Sequence, residues 1–146
     1  MNKRALVRLA CAFTLLATAN LVTAHDDHGS RHGGFVMMFL ELHFELVVPD
    51  EGGVQLYYSD AMRMELPAAV VSDVAIEIER EDYEIESVAM QISAGGDHWM
   101  GSSKPVENPG AIVRVAFLFQ GEPFVLDIPA MVLPKFNTDC EADCAD

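Results

Sequence analysis

The sequence predicts an antiparallel β-sandwich, and three features carry that expectation. Apolar and polar residues alternate with period two over several short stretches, the spacing that sends successive side chains to opposite sides of a strand. Clusters rich in Gly, Pro, Asn and Asp separate those stretches at regular intervals. Beyond the N-terminal segment, no stretch reads as a convincing helix. Six or seven short strands of this kind suit two packed sheets. A small closed barrel is the competing architecture, because alternation alone does not say how a sheet closes. A chain of 146 residues supports one such core and is too short for two full domains.

The elements follow in chain order. Residues 1–24 combine a basic start (Lys3, Arg4, Arg8), an apolar run from Leu9 to Leu21, and the small-residue ending Val22-Thr23-Ala24. That is the build of a secretory signal, so the mature chain is expected to begin at His25 in the periplasm. Residues 25–34 hold no apolar side chain and are expected to form an exposed, flexible, His-rich arm. Residues 35–136 form the sandwich domain, and residues 137–146 an acidic tail carrying Cys140 and Cys144.

Within the domain, residues 35–48 read as one strand. Val36, Met38, Leu40, Leu42, Phe44, Leu46 and Val48 share the inward parity, while Glu41, His43 and Glu45 share the outward one. Pro49-Asp50-Glu51-Gly52-Gly53 is a turn signal before a strand at 54–58. A loop spans residues 59–67. Strands at 70–80 and 83–92 follow, the first with Val74, Ile76 and Ile78 on one face. Residues 93–110, with two Gly-rich turn signals, read as a long loop. Strands at 111–119 and 123–128 close the domain as a hairpin around Gln120-Gly121-Glu122.

Charge narrows the function. The leader holds three of the 9 basic side chains and none of the 23 acidic ones, so the exported chain carries six against 23, a formal charge of −17. Such a surface repels phosphate backbones and anionic lipid, which excludes nucleic acid as a partner, and it attracts cations. No apolar run of about 18 residues follows the leader, so no membrane insertion is expected after its removal. Cys11 falls inside the leader. Cys140 and Cys144 are left in an oxidising compartment, as a small local disulfide, an intermolecular disulfide or a soft-metal clip.

All five histidines lie beyond the leader, and His25, His28 and His32 fall in the arm beside Asp26 and Asp27. Neutral imidazoles are good copper or zinc ligands, and adjacent carboxylates attract a divalent cation. A cut after Ala24 would add the amino group of His25 as a Cu(II) chelator; the competing reading is a solvated polar arm. His43 stands between Glu41 and Glu45 on the outward parity. Residues two apart on a strand are about 6.5–7 Å apart, so a compact site needs a partner from elsewhere, His98 first and His32 second. Met62 and Met64 flank Arg63 and, with Met100, Trp99 and His98, compose a candidate softer site for Cu(I). Ordinary partial burial is the alternative for those methionines, and Met38 and Met90 are expected to pack in the core. The nucleophile elbow, the phosphate loop and the His-Glu-x-x-His zinc motif are missing, so no enzymatic activity is expected.

His32-Gly33-Gly34, then His43-Phe44-Glu45-Leu46-Val47-Val48, Val54-Gln55-Leu56-Tyr57-Tyr58-Ser59-Asp60 and Leu66-Pro67-Ala68 resemble a group of small exported bacterial domains. Those domains begin with His-Gly-Gly, continue with His-x-Glu-Leu-Val and Leu-Tyr-x-x-Asp strands, and occur alone or attached to heavy-metal efflux adaptor proteins. The resemblance implies an immunoglobulin-like sandwich of about seven strands, a role in metal handling, and His32, His43 and His98 as the matching histidines. More distantly, the chain is similar to the periplasmic copper carriers of copper resistance; the Asp and second His of their copper site have no counterpart that can be placed here. The expected function is therefore capture or carriage of a transition metal, copper or alternatively zinc, with a heavy-metal efflux or envelope protein as partner. An envelope interaction or assembly module with incidental histidines is the second reading, and a copper-dependent oxidase built on His25 the third.

Overall fold

The computed structural model describes residues 29–137, so the leader, His25 and His28 of the arm, and Cys140 and Cys144 of the tail lie outside the described residues. Ten strands form among the described residues: β1 (Phe35–Phe39), β2 (Leu42–Val47), β3 (Val54–Ser59), β4 (Glu65–Leu66), β5 (Val71–Glu79), β6 (Ile85–Val88), β7 (Gln91–Ile92), β8 (His98–Gly101), β9 (Ile112–Phe119) and β10 (Glu122–Pro129). They build two antiparallel sheets. One runs β1-β2-β3-β8-β7 with β4 also on β3, and the other runs β10-β9-β5-β6. Each sheet keeps two edges, so the architecture is a sandwich and the barrel alternative falls. No helix among the described residues is long and apolar enough to cross a membrane.

The alternation works as expected where strands are regular. Leu42, Phe44 and Leu46 of β2, Leu56 and Tyr58 of β3, Ile76 and Ile78 of β5, and Val113, Val115 and Phe117 of β9 fill the space between the sheets. Phe117 is the aromatic hub: it meets Phe44 edge-on at 5.5 Å, Tyr58 at 5.8 Å, and stacks on Phe124 at 4.8 Å. On the solvent side of the smaller sheet, Glu77, Arg114 and Asp127 stand in register across β5, β9 and β10. The Arg114 guanidinium donates to Asp127 at 2.6 and 3.0 Å and to Glu77 at 3.1 Å.

The strand expected over residues 35–48 is two strands. Leu40, at φ 56°, and Glu41 form the turn of a hairpin in which Phe39 pairs with Leu42. A two-residue connection pairs odd positions with even ones, so the inward set switches parity. Phe35, Met37 and Phe39 pack on the core, whereas Met38 and Leu40 are exposed, which corrects their expected core positions. The stretch expected at 83–92 is also split: β6 belongs to the smaller sheet and β7 to the larger, so the chain changes layers at Ala89 and Met90. A strand, β8, lies inside the expected long loop at 93–110 and pairs with both β3 and β7. The last hairpin forms where expected. Gln120 and Gly121 take φ of 54° and 84°, the pair of positive values that matches a tight turn to strand twist.

Phe117→Ala is expected to cost about 3–5 kcal/mol in urea unfolding, because it empties the aromatic hub. Val125→Ala, on the exposed side of β10, should cost less than about 1 kcal/mol by the same measurement.

Candidate functional site

The outer side of the larger sheet is where the predicted residues gather, and the reason lies in β2. Its second parity, His43 and Glu45, is expected to face solvent, yet the two residues are only 6% and 5% exposed. A carboxylate removed from water has to be satisfied by hydrogen bonds or it destabilises the fold. Glu45 draws the beginning of the described chain onto itself. Ser30 Oγ donates at 2.6 Å, and the backbone N–H groups of Arg31, His32 and Gly34 donate at 3.1, 2.8 and 2.8 Å. Burial alone would raise the Glu45 carboxyl; these four donors, Ser30 the largest, outweigh it and hold the group below the ordinary glutamate range.

The arm is therefore not exposed along its whole length. Ser30, Arg31 and Gly33 are exposed, His32 is half-buried and Gly34 is buried. Gly34 is required by the close approach: a Cβ there would stand 2.4 Å from the Leu46 carbonyl oxygen and 2.8 Å from Val47.

His43 is covered rather than presented to solvent, which corrects the expected exposed position. Its Nδ1 lies 3.1 Å from the carbonyl oxygen of Asp60. A carbonyl only accepts, so Nδ1 carries the proton. Asp60 also organises the next turn: its carboxylate accepts from the N–H groups of Met62 and Met64 at 2.8 and 2.9 Å, and its carbonyl accepts from Arg63 N at 2.9 Å.

Pinning the arm sets His32 on Tyr57. The two rings stack with centroids 3.7 Å apart and planes 8° apart. Tyr57 is paired with Glu45 on one side and His98 on the other, and the His98 ring lies 4.6 Å from the phenol at 27°. An imidazole centred 3.7 Å over a phenol fills that face, so His98 takes the opposite face. The structure thus gathers His32 and His98 in one assembly but separates them by the Tyr57 ring, an arrangement in which a single ion does not touch both.

Carboxylates surround this stack. His32 Nε2 stands 3.5 Å from Glu65, and His98 Nδ1 lies 2.9 Å from Asp97. Ser93, more than His98, holds the Asp97 carboxyl below its usual range. Burial first, then the charges of Asp97, Glu45 and Glu65, push the Tyr57 phenol upward. Among the described residues no group of three His, Cys, Asp and Glu side chains is arranged to hold an ion. His32 with Glu65 and His98 with Asp97 are the two imidazole–carboxylate pairs of this face.

The softer site is not brought together. Met100 pairs with Gln55 at one end of β3, while Met62 and Met64 lie beyond its other end, roughly 16 Å away at about 3.3 Å per residue. Trp99 points to the opposite side of β8 from His98, where its indole N–H donates to Ala68 O at 2.9 Å and its ring packs on the core. Tyr57, Glu65 and Asp97 were not expected in the site. The available signal was His43 and Glu45 interrupting an otherwise apolar strand, which marks a polar pair needing partners.

The chain matches no known protein family, no curated protein and no solved structure.

Glu45→Gln is expected to lower stability by about 1–3 kcal/mol at neutral pH. Because the folded carboxyl titrates below the unfolded one, this contribution is complete above the ordinary glutamate pKa and lost as pH falls through the folded value. Urea midpoints measured from pH 7 to pH 3 should drop more steeply for the parent chain than for Glu45→Gln. Gly34→Ala should cost about 1–3 kcal/mol and increase protease cleavage within residues 29–34.

Proposed function

We propose that this chain is a non-enzymatic, exported metal-binding protein that captures or carries a transition metal, copper first and zinc second. One observation carries the reading. The Glu45 latch holds the root of a histidine-bearing arm against a sheet face where the arm's own His32 and the sheet's His98 each have a carboxylate partner. A carboxylate beside an imidazole orients the ring and draws a cation toward it, which is the usual support of a metal-binding histidine. The separation of the two rings by Tyr57 favours one ion held by the arm, through His32, Glu65 and the upstream His28 and His25. His98 with Asp97 is then a second, weaker point of attachment. His43, buried and bound to the Asp60 carbonyl, orders the 60–64 turn and meets an ion only if that cover lifts. The formal charge of −17 after removal of the leader concentrates cations at this face. Export to the periplasm is part of the same proposal and rests on the leader.

A second reading, an envelope interaction module, has its own observation. A groove of about 280 Å³ at one end of the sandwich is lined by Leu42, Met62, Leu66, Val70 and Phe119, next to exposed Leu40. Partner capture that survives both chelator and His→Ala substitution would favour it.

Titration of the mature chain with Cu(II) and Zn(II) is expected to show stoichiometric binding tighter than micromolar. His32→Ala should weaken it at least about 10-fold and Glu65→Gln by about 10-fold, with a smaller effect for His98→Ala. Binding weaker than micromolar for both metals sinks the proposal, and N-terminal sequencing that finds a residue other than His25 removes the terminal chelate.

A further inference from the structure

Strand β1 takes no part in the metal-binding reading. It is an edge of the larger sheet, and among the described residues no strand pairs with its open side. An open edge offers unpaired N–H and C=O groups to any extended chain, so natural sheets guard it with charge, proline, a bulge or a very short strand. The other edges carry such protection. β10 has Pro123 and Pro129 with Glu122 and Asp127, β4 and β7 are two residues long, and β6 has Glu86, whose carboxylate accepts from the Lys104 N–H. β1 has none of it: the strand reads Phe35-Val36-Met37-Met38-Phe39 and keeps register with β2 through five successive pairs.

The two-residue turn at Leu40 and Glu41 makes Phe39 and Leu42 the hydrogen-bonded closing pair of the hairpin. Alternation then directs the backbone groups of Phe35, Met37 and Phe39 toward β2 and those of Val36 and Met38 toward the open side. The side chains leave apolar surface there as well. Met38 and Leu40 are 55% and 58% exposed, and Phe35, Val36, Met37 and Phe39 are only half-buried.

We propose that β1 is a dimerisation edge, pairing antiparallel with β1 of a second copy of this chain about a two-fold axis at Met37. The five residues are close to a palindrome, and an isologous contact requires such self-matching. In that register Val36 stands opposite the second copy's Met38, twice, and these residues exchange four backbone hydrogen bonds. Phe35 meets the second copy's Phe39, and Met37 meets itself, so every facing pair is apolar on both sides of the sheet. The inner row thereby continues the cluster in which Phe39 meets Phe117 at 6.3 Å and Phe124 at 5.0 Å. Charge selects the same place. Each exported chain carries −17, and two copies repel least across a strand that has no charge.

The test is sedimentation and amide-exchange NMR of the mature chain between about 50 µM and 1 mM, since a five-residue edge is small beside the roughly 1,200–2,000 Å² of a stable interface. A reductant and a chelator exclude disulfide-linked and metal-linked pairs, and about 0.3 M NaCl screens the repulsion. A monomer–dimer equilibrium is expected, with exchange at the Val36 and Met38 amides slowing at least about 2-fold across that range and the Met37 and Phe39 amides, already bonded to β2, responding less. Met38→Pro removes an outward N–H without touching a β1–β2 bond. Met38→Lys puts a charge on the edge while lowering the net charge of each copy, so a loss of pairing there is not caused by added repulsion. Each variant should weaken the dimer at least about 10-fold; Met38→Lys, at an exposed position, decides the matter if Met38→Pro fails to fold. A monomer throughout the range overturns the proposal. So does a dimer in which the Val36 and Met38 amides stay open, or one that Met38→Lys leaves unchanged.

Discussion

Strand β2 is buried on both sides, and that constraint organises the rest of the molecule. Its inner residues, Leu42, Phe44 and Leu46, need a second sheet to pack against, and Phe117 and its aromatic neighbours supply it. Its outer residues, His43 and Glu45, are polar and equally shielded from water. Each can stay there only with hydrogen-bond partners. Glu45 recruits the N–H groups of residues 31, 32 and 34, and His43 recruits the Asp60 carbonyl. The path of the arm and the fold of the 60–64 turn are thus two answers to one problem, the satisfaction of a central strand's second face.

The two sheets treat their outer faces differently. The smaller one leaves Glu77, Arg114 and Asp127 in solvent, where a screened ion-pair row adds little stability and needs no cover. The larger one is roofed over β2, and the roof brings His32 to the face whose strands carry His43 and His98. Once His32 is fixed by its own N–H group on Glu45, its ring lies on Tyr57, and cross-strand pairing places His98 beside the same phenol. Negative charge from Glu45, Glu65 and Asp97 converges there, which is the environment a cation seeks.

Much of this was legible in the residues themselves. The inward sets of β5 and β9, the turn at Gln120 and Gly121, and the all-β class follow from local alternation and turn chemistry. The strand count did not, for identifiable reasons. Residues 35–39 are apolar on both parities, so alternation continues across Leu40 and Glu41 although the chain reverses there. Residues 85–92 read as one extended run because a change of sheet at Ala89 and Met90 leaves no break in a period-two pattern. β8 is only four residues long and contains two turn-favouring flanks, so its strand character comes from pairing with β3 and β7.

The residue pattern by itself determined which side chains belong to which face of a strand, since successive side chains of an extended backbone must point to opposite sides. It also determined the acidity, the histidine-bearing N-terminal stretch and the polar interruption of β2. Whether an outward face meets water was decided only by the tertiary structure. That depends on segments distant in sequence, such as the Gly29-to-Gly34 stretch folding onto Glu45, and no local period encodes what comes to lie on top. The same distinction governs the candidate site: His32, His43 and His98 are visible as residues, but the placing of His32 and His98 against the Tyr57 ring arises from the arm folding onto Glu45 and from the β3–β8 register, properties of the assembled sheet.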